Sequence, residues 1–200
     1  IHYDSVARMN TNDPVPFPKH AGGARALVEL DPDHPGFRDS EYRKRRQDIA
    51  RLALEFDPDG PVPRVSYTER EHEIWREIQS LLFSVHQERA CREIIDLQRI
   101  LPLDSERIPQ LEDINRHLKA TSGFRVEPVA GLVLARTFMQ YLGRRVFLST
   151  QYIRHHSRPL YTPEPDIIHE LVGHAATLAH PAIAELSRVL GAAAEQANEE

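Results

Sequence analysis

The residues best equipped for chemistry lie in one stretch, Pro163-Glu-Pro-Asp-Ile-Ile-His169-Glu170-Leu-Val-Gly-His174. The zinc-protease signature H-E-x-x-H has two residues between its glutamate and second histidine, whereas here there are three, Leu171, Val172 and Gly173. On a regular α-helix, positions i and i+4 stand about 40° apart around the axis, and i and i+5 about 140°. A zinc hydrolase needs both imidazoles on one face with the carboxylate beside them, so this spacing disfavours it. His169 and His174 can converge on one ion only if the helix widens locally, and single wide turns cluster at functional sites. Gly173 would let a ligand or another backbone approach closely. Without a widened turn, the pair are ordinary histidines on an amphipathic helix. His180, further along, reads as a surface residue.

Other side chains with chemical capacity are scattered. Arg154 carries a guanidinium fork that matches a carboxylate, but by spacing alone Arg158 is equally eligible. Phe138 reads as core packing when taken by itself. Cys91 is the only cysteine, so no internal disulfide is possible and a reducing cytoplasm is the expected setting. A lone cysteine of this kind is expected to be a small buried apolar residue.

These residues need a scaffold, and the composition supplies one. Apolar residues make up 40% and charged residues 28% of 200, a balance that suits one globular domain. A net charge of −5 argues against nucleic acid as partner, and no apolar run approaches a membrane span. Residues 1–27 are rich in Pro, Gly and polar groups and are expected to form an extended arm, with the domain over 28–200. Helical periodicity starts near Asp39, where Ile49, Leu52, Ala53 and Phe56 share a face. Thr68 and Glu71 have capping-box spacing, followed by a stripe of Ile74, Trp75, Ile78, Leu81, Leu82 and Val85. Further helices are predicted through "CREIIDLQRIL" and from near Pro109 to a stop at Gly123. Between 124 and 153, β-favouring "FRVEPV" and "RVFLSTQYI" flank a short helix "ARTFMQYL". Helix returns near Asp166, and a last one follows Pro181. The predicted class is mostly α, or α+β with a small β element.

Five blocks carry a resemblance: "DHPGF" (33–37), "IPQLEDINRHL" (108–118), "GFRVEPVAGL" (123–132), "FLSTQYIRH" (147–155) and "YTPEPDIIHELVGH" (161–174). In register from about Leu27 to Leu190, the chain resembles the pterin-dependent aromatic amino acid hydroxylases, the animal type more than the short proteobacterial type. The resemblance implies that family's catalytic-domain fold and a non-haem Fe(II) held by His169, His174 and a glutamate. Such a facial triad leaves positions open for dioxygen. The third ligand is expected about forty residues past His174, beyond Glu200, so the chain is expected to be a C-terminally truncated piece. Glu170 is implied to contact a tetrahydropterin such as tetrahydrobiopterin and to set it near the iron. Gly131, Leu132 and Val133 are implied to border that pterin, and Phe138 to stack on it. Arg154 is implied to hold the substrate carboxylate, with Thr162 and Pro165 beside the substrate.

The implied activity is a monooxygenase that uses O2 to hydroxylate the ring of a free aromatic amino acid. Leu132 stands where tryptophan-hydroxylating members tend to carry tyrosine and the phenylalanine and tyrosine enzymes carry leucine, and the reading leans toward phenylalanine to tyrosine. Tyrosine or tryptophan hydroxylation and meta-hydroxylation of phenylalanine stay open. So does a non-catalytic relative that retains the scaffold. Oligomeric state is not readable.

Overall fold

Helices begin where the sequence supplies caps. The computed structural model describes residues 30–101 and 103–197, so the arm expected over 1–27 lies outside the described residues. Helix α1 (Ser40–Leu54) starts at Asp39, whose carboxylate accepts hydrogen bonds from the Glu41 and Tyr42 amides, both 3.0 Å. Helix α2 (Glu69–Arg89) starts with the predicted capping box. The Thr68 hydroxyl accepts from the Glu71 amide, and the Glu71 carboxylate accepts from the Thr68 amide. Arg45 of α1 forks onto the same Glu71 with two 2.9 Å bonds, fastening α1 to the start of α2.

The apolar stripe of α2 is buried only in its first half. Ile74, Trp75 and Ile78 enter the core, and the Trp75 indole donates to the Asp104 carbonyl at 2.8 Å. Leu81 and Val85 are exposed and Leu82 is half-buried, because beyond Ile78 the helix flanks an open cavity rather than packed elements. Cys91 also departs from expectation. It is exposed at the cap position of α3 (Arg92–Ile100), where the chain turns at the surface after α2.

Helix α4 (Leu111–Thr121) begins two residues after Pro109 and buries Leu111, Ile114 and Leu118, as their spacing predicts. It stops at Gly123, whose φ of 74° is the left-handed conformation that glycine adopts without penalty. Strand β1 (Arg125–Pro128), helix α5 (Ala135–Gly143) and strand β2 (Val146–Ser149) form a parallel crossover, with Arg125 opposite Val146 and Pro128 opposite Ser149. Buried Asn115 clips α4 to β1, donating to the Val126 carbonyl at 3.0 Å and accepting from the Val126 amide at 2.5 Å. The β-favouring segments thus pair with each other, and the small sheet has both strands largely buried.

The chain then runs through an irregular segment to a π-helix (His169–Ala175), short α6 (Ala176–Leu178) and α7 (Pro181–Gln196). His180 is half-buried and caps α7, its ring nitrogen accepting from the Ala182 amide at 3.2 Å, so it has a structural task rather than a purely surface one. Leu171, Ala175, Leu178 and Ala184 from this end of the chain join Trp75, Leu118, Phe124 and Phe147 in one core. Among the described residues, no helix is long and apolar enough to cross a membrane.

Helices α5 and α7 cross in near backbone contact. A Cβ at Gly191 would lie 2.3 Å from the Gly143 amide nitrogen and 2.5 Å from the Met139 carbonyl oxygen. Gly191→Ala is therefore expected to push the helices apart and destabilise by about 1–3 kcal/mol, as overpacking does. Urea denaturation measures it, and an unchanged midpoint would show that the crossing relaxes freely.

Candidate active site

The π-helix resolves the awkward histidine spacing. Residues five apart, which diverge on an α-helix, come together when the backbone closes i→i+5 turns. His169 Nε2 and His174 Nε2 are 3.0 Å apart, with ring centroids at 4.8 Å. Two nitrogens bonded to one ion at about 2.1 Å with a right angle between them stand about 3.0 Å apart, while a tetrahedral angle would spread them to about 3.4 Å. The spacing thus matches two adjacent corners of an octahedral shell better than a zincin site. Without an ion, the same distance lets one imidazole donate to the other.

Glu170 follows His169 but faces inward. Its carboxylate and the two imidazoles offer ligand atoms all within 4.8 Å of one another. Burial pushes the Glu170 carboxyl up to about 8, opposed by a hydrogen bond from the Thr150 backbone and aided by the charge of Asp166. Burial, then neighbouring His169, lowers the pKa of His174. Gly173 has nothing within 4 Å of where a Cβ would stand, so its surface is open. A cavity of about 1120 Å³ lies there, bordered by His169, Gly173, Val172, Ile168, Leu160 and Arg154.

Arg154 reaches this cavity already held. Its Nε and Nη2 each donate at 2.8 Å to the two carboxylate oxygens of Asp166, and its Nη1 donates to the Pro159 carbonyl at 3.2 Å. Three of the five N–H groups are taken, which leaves one on each terminal nitrogen for another acceptor. Arg158 is separated from it, exposed and over the Tyr161 ring at 5.6 Å. Thr162 donates its hydroxyl to the Glu164 carbonyl at 2.5 Å, and the Pro165 carbonyl accepts from the Thr150 hydroxyl at 3.2 Å. Both are half-buried on the segment just before Asp166.

The loop between β1 and α5 is not among the residues bordering that cavity. Gly131 is buried, Leu132 exposed, and Val133 packs on the cluster of Val129, Tyr141, Val146 and Leu148. Phe138 is half-buried and meets Phe147 edge-on at 5.6 Å, and Phe147 lies 5.3 Å from His174. An aromatic row therefore joins the β1–α5 side to the histidine pair.

Comparison with known proteins identifies this arrangement. Residues 24–200 match the family model described as biopterin-dependent aromatic amino acid hydroxylase. The chain belongs to that family. It is 48% identical over 176 residues to tyrosine 3-monooxygenase of Schistosoma mansoni, covering 86% of this chain and 38% of that protein. It is 42% identical over 166 residues to the chloroplastic phenylalanine 4-monooxygenase of Pinus taeda, covering 83% of this chain and 47% of that one. The solved phenylalanine hydroxylase of Legionella pneumophila is 34% identical with a TM-score of 0.63, over 68% of this chain and 53% of that one. The chain thus spans about half or less of these relatives' lengths.

The family's biopterin dependence and this donor set agree on iron and a tetrahydropterin as the hydroxylase's cofactors. Imidazole nitrogen and carboxylate oxygen on one side of an ion are the ligands that non-haem iron takes when it must keep open positions. Among the described residues after His174, Glu185 is engaged by Arg145 and Arg188, and Glu195 by Arg144, so neither stands free to join the two histidines.

Sequence reasoning missed three contributors. Asp166 was legible only as a helix start, three residues before His169, whose amide it accepts at 3.1 Å. Phe147 gave no signal beyond a β-favouring residue. Arg46 did leave one, since it lies three and four positions before buried Ile49 and Ala50 and therefore on the apolar face. It is buried, pairs with Glu164, and places its guanidinium 3.7 Å from the Tyr152 ring centroid. Glu164 also faces His34 at 3.5 Å, so α1 holds the Thr162–Asp166 segment from beneath. Arg46→Met would leave Glu164 without its main counter-charge at a largely buried site, with an expected loss of about 3 kcal/mol. Thermal unfolding of the hydroxylase measures it; an unaltered Tm would mean that His34 suffices.

Proposed function

We propose that the full hydroxylase inserts one oxygen atom of O2 into the ring of a free aromatic amino acid, with L-phenylalanine to tyrosine as the specific reaction. The observation that carries this reading is the 3.0 Å convergence of His169 and His174 on a π-turn facing a cavity that also contains Arg154. His169 and His174 bind iron, joined by a glutamate beyond residue 200. Bound there, iron and reduced pterin would supply the activation of O2 and the two electrons that it needs.

The chain's own residues place the reactants. Gly131, Leu132 and Val133 border the pterin, and Phe138 offers a flat ring to stack against it. Glu170 positions the pterin from the iron side, and its burial keeps that wall dry. Arg154 presents its outer N–H pair to the substrate carboxylate, with its angle set by Asp166. Thr162 and Pro165 line the substrate side. The lone cysteine favours a cytoplasmic enzyme.

A second reading has its own support. The 48% identity to a tyrosine 3-monooxygenase favours tyrosine as substrate, and Leu132, which speaks against tryptophan, suits phenylalanine and tyrosine alike. Turnover of the two amino acids by full-length protein separates the readings, and the higher kcat/KM names the substrate. Turnover of neither, with iron and pterin bound, would support a scaffold without catalysis.

Two substitutions test the placement. His169→Ala and His174→Ala are each expected to abolish iron content and turnover together, measured by elemental analysis and product formation. Iron retained at the wild-type ratio in both variants would overturn the ligand assignment. Arg154→Ala is expected to lower kcat/KM for the amino acid ten-fold to several hundred-fold, since a charge-assisted bond contributes about 1.5–3 kcal/mol. Arg154→Lys should recover part of it. Discrimination between phenylalanine and phenethylamine, which lacks the carboxylate, should fall in the alanine variant. Equal losses for both compounds would assign Arg154 to the fold instead.

A further inference from the structure

The residues that follow Arg154 meet the start of α1 in a second cluster. His155 is buried, and its Nε2 lies 3.2 Å from Asp39 Oδ2. Asp39 Oδ1 is occupied by the two amides it caps, so Oδ2 is the oxygen turned toward the imidazole. The ring of exposed His156 tilts over His155 with centroids 4.1 Å apart. The three side chains offer ligand atoms that all lie within 4.8 Å of one another.

We propose that Asp39, His155 and His156 form a second metal site, distinct from His169 and His174, that takes one divalent zinc ion. His155 Nδ1 accepts from the Ser157 amide at 3.2 Å, which in the metal-free protein puts the ring proton on Nε2 toward Asp39 Oδ2. Zinc at Nε2 requires that proton to move to Nδ1, where the Ser157 hydroxyl, 2.7 Å away, can accept it. Two lone pairs facing each other at 3.2 Å repel unless a cation lies between them. In the other tautomer that cation is the ring's own Nε2 proton; in this one it is the metal. Two ligand atoms held by one ion at about 2.1 Å with an angle of about 100° stand about 3.2 Å apart.

The ring of His155 cannot swing away, because Tyr42 meets it edge-on at 4.9 Å and Ser157 holds its other nitrogen. His156 supplies the third donor from the solvent side, where water completes a four-coordinate shell. Two imidazoles and one carboxylate are a borderline donor set that suits zinc better than magnesium or calcium. Binding would tie the α1 N-terminus to the segment that carries Arg154.

The test titrates Zn(II) against a chromophoric chelator in full-length protein carrying His169→Ala and His174→Ala, which removes the first site. One zinc ion per chain is expected. Adding His156→Ala, or Asp39→Asn, which still caps a helix, should weaken that binding at least ten-fold. Circular dichroism of each variant checks the fold, and wild-type protein provides a second measurement, with two zinc ions expected against one after His156→Ala alone. No zinc in the double-alanine background together with one ion in wild type, or affinity unmoved by both added substitutions, would reduce the cluster to a structural His155–Asp39 hydrogen bond and overturn the proposal.

Discussion

Asp166 is the carboxylate on which the site is built. It is fully buried, where an uncompensated charge would be prohibitively costly. Four N–H donors surround it: the Arg154 amide, Arg154 Nε and Nη2, and the His169 amide. Those bonds do two things at once. They start the helix that presents the histidines, and they lock the guanidinium that faces the cavity. The distance between the histidine pair and the Arg154 guanidinium is therefore set by a single side chain.

The second constraint is the backbone register of the π-helix. An extra residue per turn rotates His174 onto the face of His169 while Glu170 stays turned inward. Phe147 from β2 packs on His174, and β2 is held by its pairing to β1 and by the Asn115 clip from α4. The small sheet supplies little of the core. Its contribution is to bring the β1–α5 loop and Phe138 to the same end of the molecule as the histidines.

Support for the irregular segment between β2 and the π-helix comes from far away in sequence. Arg46 and His34 reach Glu164, and the Tyr42 hydroxyl donates to the Ile153 carbonyl at 3.0 Å. Helix α1 thus acts as a floor beneath the residues proposed to hold substrate. Burying a guanidinium there has a desolvation cost, which its pairing with Glu164 and stacking on Tyr152 offset.

Much of the element order was legible along the chain, because caps and periodicity are local. Asp39, the Thr68–Glu71 box, Gly123 and the stripe of Leu111, Ile114 and Leu118 each act within a few residues of themselves. The candidate histidines were legible too, and their odd spacing required a widened turn if they were to meet. What sequence could not determine depends on contacts between distant residues. Cys91 lies outside because the α2–α3 turn is at the surface, and Leu81 stays uncovered because it borders the cavity. Spacing alone did not separate Arg154 from Arg158, and the resemblance chose Arg154; what only tertiary structure supplies is Asp166 reaching back across twelve residues to fix its guanidinium. Periodicity records which face of an element is apolar; it carries no record of which partner that face or fork will meet.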